Sequence, residues 1–313
     1  MTSYFNANLV LKSGSFKVYN LDYTHRFKNS SSITFSFLHE NALIDGYTKN
    51  QNLNALNYQD TLQYTLNTGA NPLNASRIKF DYEKKMWIGK FSLGYQYRTQ
   101  QQNGVFTYYE KQGNFTNLAF NPAFSAEISV LNRIHGIYTQ YAGSFKNLEF
   151  STGLRFENAF REFKVAGSNS SSVLTLSNFF PSANILYNLS NNLRAKIAFS
   201  RRVQRSTNNE LNPYPEREHS ETLEQGDPNI KPEFINVYET GITKDFKKAS
   251  LYWNVYVQQI TDIVNRVNSV YNEPFLTEFI PMQEMLVWLE QTWALRFLQV
   301  RNSKFLLVVM FII

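Results

Sequence analysis

The chain has 313 residues, of which 16% are aromatic and 18% charged, with a formal net charge of +6 and no cysteine. Disulfides and thiolate metal sites are therefore excluded. The basic residues stand mostly singly between aromatics, with no basic block of the kind that binds nucleic acid.

Met1–Asn6 lacks a basic start followed by an apolar run, so no secretory leader is read there. A first strand is expected near Tyr4–Leu11. Tyr19, Leu21, Tyr23 and Phe27 then alternate with Asn20, Asp22, Thr24 and Arg26. After a polar stretch, Asn41–Asn57, a strand is expected at Tyr58–Leu66, and Ile78, Phe80 and Tyr82 alternate with Lys79, Asp81 and Glu83. A tight turn at Lys84–Met86 leads into Trp87–Arg98, where Phe91, Leu93, Tyr95 and Tyr97 face away from Lys90, Ser92, Gln96 and Arg98. Trp87, beside that turn, suits an interfacial aromatic girdle. Thr99–Pro122 reads as a long loop.

Phe124–Phe145 changes phase between Ile128 and Val130 on one side and Ile137 and Tyr141 on the other, which predicts a bulge or a strand rising out of a membrane. Past a turn at Phe145–Asn147, Leu148, Phe150, Leu154, Phe156 and Phe160 alternate with Glu149, Ser151, Arg155, Glu157 and Arg161. Val165–Leu174 is polar. After a turn at Ser190–Asn192, Leu193, Ala195, Ile197 and Phe199 alternate with Arg194, Lys196, Ser200 and Arg202. A long polar segment, Gln204–Lys231, precedes further strands, and a turn at Phe246–Lys248 leads to the alternation of Ser250–Gln258.

Period-two patterning of this length, with charge along the whole polar face, exceeds the five or so residues of ordinary strands. It suits strands that cross a bilayer in about 9–11 tilted residues, lipid on one side and water on the other. The short–long alternation of connections matches short periplasmic turns and long outer loops. The fold class is thus an all-β, antiparallel transmembrane β-barrel, here partial, with roughly eleven or twelve strands over residues 1–278.

From about Tyr271 the alternation stops. Met282–Trp293 reads as a helix with Met285, Leu286, Leu289 and Trp293 on one side, and Phe305–Ile313 is almost wholly apolar. Residues 279–313 are therefore expected to be an aberrant tail, either read in a shifted frame or non-native.

Four ordered motifs sharpen the reading. Phe180-Pro181-Ser182 opens a strand, and Phe199-Ser200-Arg201-Arg202 ends the next. Leu211-Asn212-Pro213-Tyr214 and Gly226-Asp227-Pro228-Asn229-Ile230-Lys231-Pro232-Glu233 follow, with Gly153-Leu154-Arg155-Phe156-Glu157 upstream. This run resembles the C-terminal barrel of TonB-dependent receptors of the Bacteroidetes outer-membrane β-barrel family. Phe199, Asp227 and Ile230 depart mildly from the family's Tyr, Asn and Leu. The resemblance implies an outer-membrane location, a whole barrel of about 22 strands, and uptake of a scarce ligand such as an iron chelate, a vitamin or an oligosaccharide. Implied partners are outer-membrane lipid and lipopolysaccharide, a plug domain and the TonB energising complex. No segment resembling the plug is seen.

The prolines and glycine of the motif loop (Asn212, Pro213, Gly226, Pro228, Lys231 and Pro232) read as loop architecture, since proline cannot donate to a ladder. Arg155, Arg194, Lys196 and Arg202 alternate onto the expected inner face, where they wet a lumen or meet plug or substrate. No cofactor, metal site or catalytic set is expected: the four histidines are scattered, and the nearest pairings, His25 with Asp22 and His39 with Glu40, lack a distinctive nucleophile. A passive porin or structural barrel is the alternative. A soluble all-β carbohydrate-binding module or an outer-membrane hydrolase stands further off.

Overall fold

The computed structural model describes residues 4–312 apart from 113–116, 168–170, 214–215, 220–221, 248, 266, 273–274, 280–281 and 298–305. It is built almost entirely of strands. These are β1 (Tyr4–Arg26), β2 (Ser31–Asn54), β3 (Asn57–Met86), β4 (Gly89–Gln112), the short β5 (Ala119–Phe120), β6 (Ala126–Phe145), β7 (Leu148–Val165), β8 (Ser171–Ser190) and β9 (Leu193–Gln204). There follow β10 (Glu216–His219), β11 (Thr222–Gln225), β12 (Glu233–Asp245), β13 (Ala249–Val264), β14 (Val267–Asn272), β15 (Phe275–Phe279), β16 (Met282–Phe297) and β17 (Leu306–Ile312). A 3-10 turn, Pro122–Phe124, and one helical turn, α1 (Asn208–Leu211), interrupt them.

One sheet runs β1-β2-β3-β4-β6-β7-β8-β9-β12-β13-β16-β17, every neighbour antiparallel, with β5 added against β4. Among the described residues β1 and β17 form its two ends and do not pair with each other. The sheet is an open part of a barrel. A second sheet, β10-β11-β15-β14, is small.

Register explains why the alternation is so long. Tyr23, Phe35, Phe80, Tyr95, Ile137, Phe156 and Phe179 are successive cross-strand partners from β1 to β8. The row continues in kind through Ala183, Phe199, Tyr238, Val257 and Leu289. Rings meet along it, as in Phe35–Phe80 at 5.1 Å and Phe199–Tyr238 at 5.0 Å. Yet these side chains stay exposed: Tyr23 is 61% accessible, Ile137 55% and Phe179 57%. An apolar belt that is paired laterally and bare outwardly is the surface a hydrocarbon layer covers. The opposite face holds Asp22, Ser36, Lys79, Gln96, Gly136, Glu157 and Asn178 in register.

Several expectations change. The strand near Tyr4–Leu11 and the alternation at Tyr19–Phe27 are one strand, β1, and Tyr58–Leu66 is the outer half of β3. The supposed loop Asn41–Asn57 is mostly ladder, and most of Thr99–Pro122 extends β4. Above a membrane both faces of a hairpin can be wet, so polar residues pair there as readily as apolar ones. The turn expected at Lys84–Met86 lies at Trp87–Ile88, where Trp87 adopts φ 50° and is 91% exposed. The turn at Phe145–Asn147 narrows to Lys146–Asn147, with Lys146 at φ 51°.

The phase change in β6 involves no bulge, because its pairing with β4 and β7 is unbroken. Instead the apolar residues swap faces. Ile128, Val130 and Ile134 are buried on the inner face, while Ile137 is bare on the outer one. β7 does the same, with Leu154 and Phe156 outward and Phe163 buried inward.

The helix expected at Met282–Trp293 is absent. That segment is β16, paired with β13 from Ala249↔Phe297 to Val264↔Met282. Backbone pairing along the open edge of β13 decides for the strand over the helical stripe. Val287 and Leu289 lie outward, 59% and 38% exposed.

Candidate functional site

The inner face is a mesh of paired charges. The Tyr138 hydroxyl donates to Asp81, which also takes Lys79 at 2.8 Å. Arg155 lies across Tyr138, its guanidinium carbon 5.4 Å from the ring centre, and binds Glu157 at 2.6 Å. Arg205 grips the other oxygen of Glu157, also at 2.6 Å. Glycine makes this flat packing possible: a Cβ on Gly94 would stand 2.3 Å from the Tyr138 ring, and one on Gly136 2.4 Å from Arg155. Nearer the tight turns, Lys196 binds both oxygens of Glu239 at 2.9 Å and Arg194 binds Asp245 at 2.8 Å.

Above the belt, the segment between β9 and β12 folds back onto the inner face. Leu211 and Ile230, each 1% exposed, close a small core with Ile128, Val130 and Phe163. Arg161, buried on β7, donates to the carbonyls of Pro228 at 2.9 Å and Ile230 at 2.7 Å. Burial pushes its pKa down, and the nearby Asp227 opposes that shift. Ser172 adds a bond to the Pro228 carbonyl at 3.2 Å. The two motif halves hold each other: Gly226 donates its N–H to the carbonyl of buried Asn212 at 2.6 Å, and Gln225 donates to that of Pro213 at 2.6 Å. Lys231 is exposed, whereas Pro232 is buried.

Between this folded loop and the wall of β4, β6, β7 and β8 lies a cleft of about 540 Å³. Arg98, Gln100, Gln102, Asn132 and Arg161 line it from the wall, and Arg205, Ser206, Asn208 and Pro232 from the loop. It holds three guanidiniums and no carboxylate among the described lining residues. Such a chamber can hold and orient a small solute. It contains no nucleophile–base pair, and no group of three metal-ligating side chains occurs among the described residues.

The structure spreads the four lumen candidates apart. Arg155 sits beneath the cleft through Glu157, Arg194 and Lys196 lie towards the tight turns, and Arg202 is exposed beside Ile235 of β12. Arg98 and Arg161 ended the polar sets of their strands without being singled out. Arg205 lies in the polar segment Gln204–Lys231 and carries no such signal. The histidine pairings dissolve: His25 faces the side opposite Asp22 and packs on Phe27 at 4.6 Å, and His39 bonds Ser76 and Asn41 while Glu40 lies on the other face.

A comparison with curated proteins finds no match. Among solved structures, the chain resembles the siderophore receptor PiuA from Acinetobacter baumannii, with TM-score 0.60 and 10% identity over 96% of this chain and 47% of the other. It also resembles the unliganded ferric citrate transporter FecA, with TM-score 0.57 and 12% identity over 91% and 39%. The copper transporter OprC gives TM-score 0.56 and 8% identity over 95% and 53%. At such identities the likeness is one of fold, and the chain spans about half the length of the structures it matches. Residues 20–281 match the family model described as "Outer membrane protein beta-barrel family", so this chain, with its lipid-facing belt and charged inner wall, belongs to that outer-membrane family.

Proposed function

We propose that the chain forms about half the wall of an uptake receptor, importing a scarce ligand too large for porins and energised through a plug and the TonB complex. The observation behind this reading is the inward-folded loop between β9 and β12. Fixed by Arg161 and its own small core, it turns the outer half of the lumen into a chamber of ligand size, where an open diffusion pore would leave the bore clear. Three similar folds carry names of transporters or receptors for ferric citrate, copper and a siderophore, which supports small chelates as cargo. Lipid and lipopolysaccharide would cover the belt of Phe35, Phe80 and Ile137.

The test is uptake of labelled iron and copper chelates by cells expressing the protein, with the inner-membrane energising complex intact or deleted. Uptake that needs both protein and complex supports the receptor. Uptake, or ion conductance in planar bilayers, that ignores the complex would instead establish a passive pore.

A further inference from the structure

The charge balance around the cleft is uneven. Arg155 and Arg205 share the single carboxylate of Glu157. Arg161 is spent on two neutral carbonyls. Arg98, exposed, bonds only the neutral Gln100 at 2.9 Å among the described residues. Four guanidiniums thus have one bonded carboxylate among them, with Asp227 near Arg161, whereas Lys196 and Arg194 lower down each have an acid of their own. A second observation points the same way. Ser206 Oγ and Asn208 Nδ2, both on the cleft lining, are enclosed and bonded by no group of the described residues. Each can donate a hydrogen bond. Desolvated donors beside excess guanidinium charge form a site for several anionic oxygens.

We propose that the cleft binds a small polyanion, a molecule with at least two carboxylate or phosphate groups. Arg98 and Arg205 provide charge, and Ser206 and Asn208 the fixing hydrogen bonds. The assignment deepens the uptake reading and rests on it for its biological sense. The binding step itself needs neither plug nor energy.

The experiment is calorimetric titration of the full chain, folded in detergent micelles, with tricarballylate and with its uncharged triamide. The tricarboxylate should bind, more weakly as salt is raised, and the triamide at least about a hundredfold more weakly, since charge-assisted bonds contribute roughly twice as much as neutral ones. Arg98→Gln and Arg205→Gln should each weaken tricarboxylate binding about tenfold. Lys90→Gln removes the same charge at the turn end, where Lys90 pairs with Glu83, and should leave binding unchanged. Arg98 makes no contact on which the sheet depends, so Arg98→Gln with a native heat-shifted mobility decides even if Arg205→Gln loosens the loop. Equal binding of both probes, no binding of either, or native affinity in folded Arg98→Gln would each overturn the proposal. Those results leave uptake untouched. Anion binding without energised uptake would sink the receptor reading and leave the site standing.

Discussion

Arg161 shows how one side chain can organise a loop. Its guanidinium supplies the donors for two carbonyls of the motif Gly226–Glu233. Replacing it with methionine keeps the bulk and strands those acceptors, a loss of about 3 kcal/mol. Limited proteolysis should then cut within 225–232 sooner than in the native chain. Gly94 makes a different point. Gly94→Val would drive the Tyr138 ring off Asp81 and cost about 1–3 kcal/mol by overpacking, whereas Tyr138→Phe, which keeps the ring, should cost about 1 kcal/mol. Urea midpoints of micelle-folded protein check the order. Neither role was legible in the sequence. Arg161 looked like one more polar residue in an alternation, and a glycine on a strand does not announce the ring lying across it, because both roles depend on which strand comes alongside.

At the scale of the strand, alternation was legible because each face of β4, β6, β7 and β9 meets one solvent over many residues. The belt predicts its own sensitivity. Ile137→Arg, placed towards lipid between Tyr95 and Phe156, should destabilise by about 2–4 kcal/mol. Gln96→Arg, on the water-filled side, should change the urea midpoint little. Comparable losses at both positions would show that the two faces had been assigned wrongly. What the pattern hid was extent. Asn41–Asn57 and Thr99–Pro122 looked like loops because they are polar on both faces, yet backbone pairing does not need an apolar face once both sides are wet. β3, at 30 residues, is about 100 Å long at the usual rise, several times what a membrane requires. Met282–Trp293 misled in the opposite direction: its apolar residues satisfy periods of both two and 3.6, and only the neighbouring strand β13 chooses between them.

For the whole molecule, the ends of the sheet matter most. β1 has a partner only on the β2 side among the described residues, and its side chains are exposed along nearly its full length. Its outward backbone groups lack ladder bonds, which hydrocarbon does not tolerate. Hydrogen exchange of the full chain in micelles should therefore find alternate amides of β1 exchanging within minutes while those of β6 and β7, paired on both sides, persist for hours. Uniform protection across β1 and β6 would mean that another strand covers that edge. The global fold class was readable because length, alternation and connection rhythm agree, but the packing of the loop over the wall was not. That packing joins Leu211 and Ile230 to Ile128 and Phe163, residues far apart in the chain.

The swap of faces in β6 has a consequence for how the protein floats. Between Ile134, buried on the inside, and Ile137, bare on the outside, the strand carries a waterline. Below it oil lies outside the wall, and above it the loop's own core lies inside. The mark is set by covalent spacing, so draught is encoded to within about one residue, some 3.4 Å of strand. Adding two residues to the hairpin below would preserve every side chain's facing and still lift the chamber by one pleat, leaving Ile137 awash.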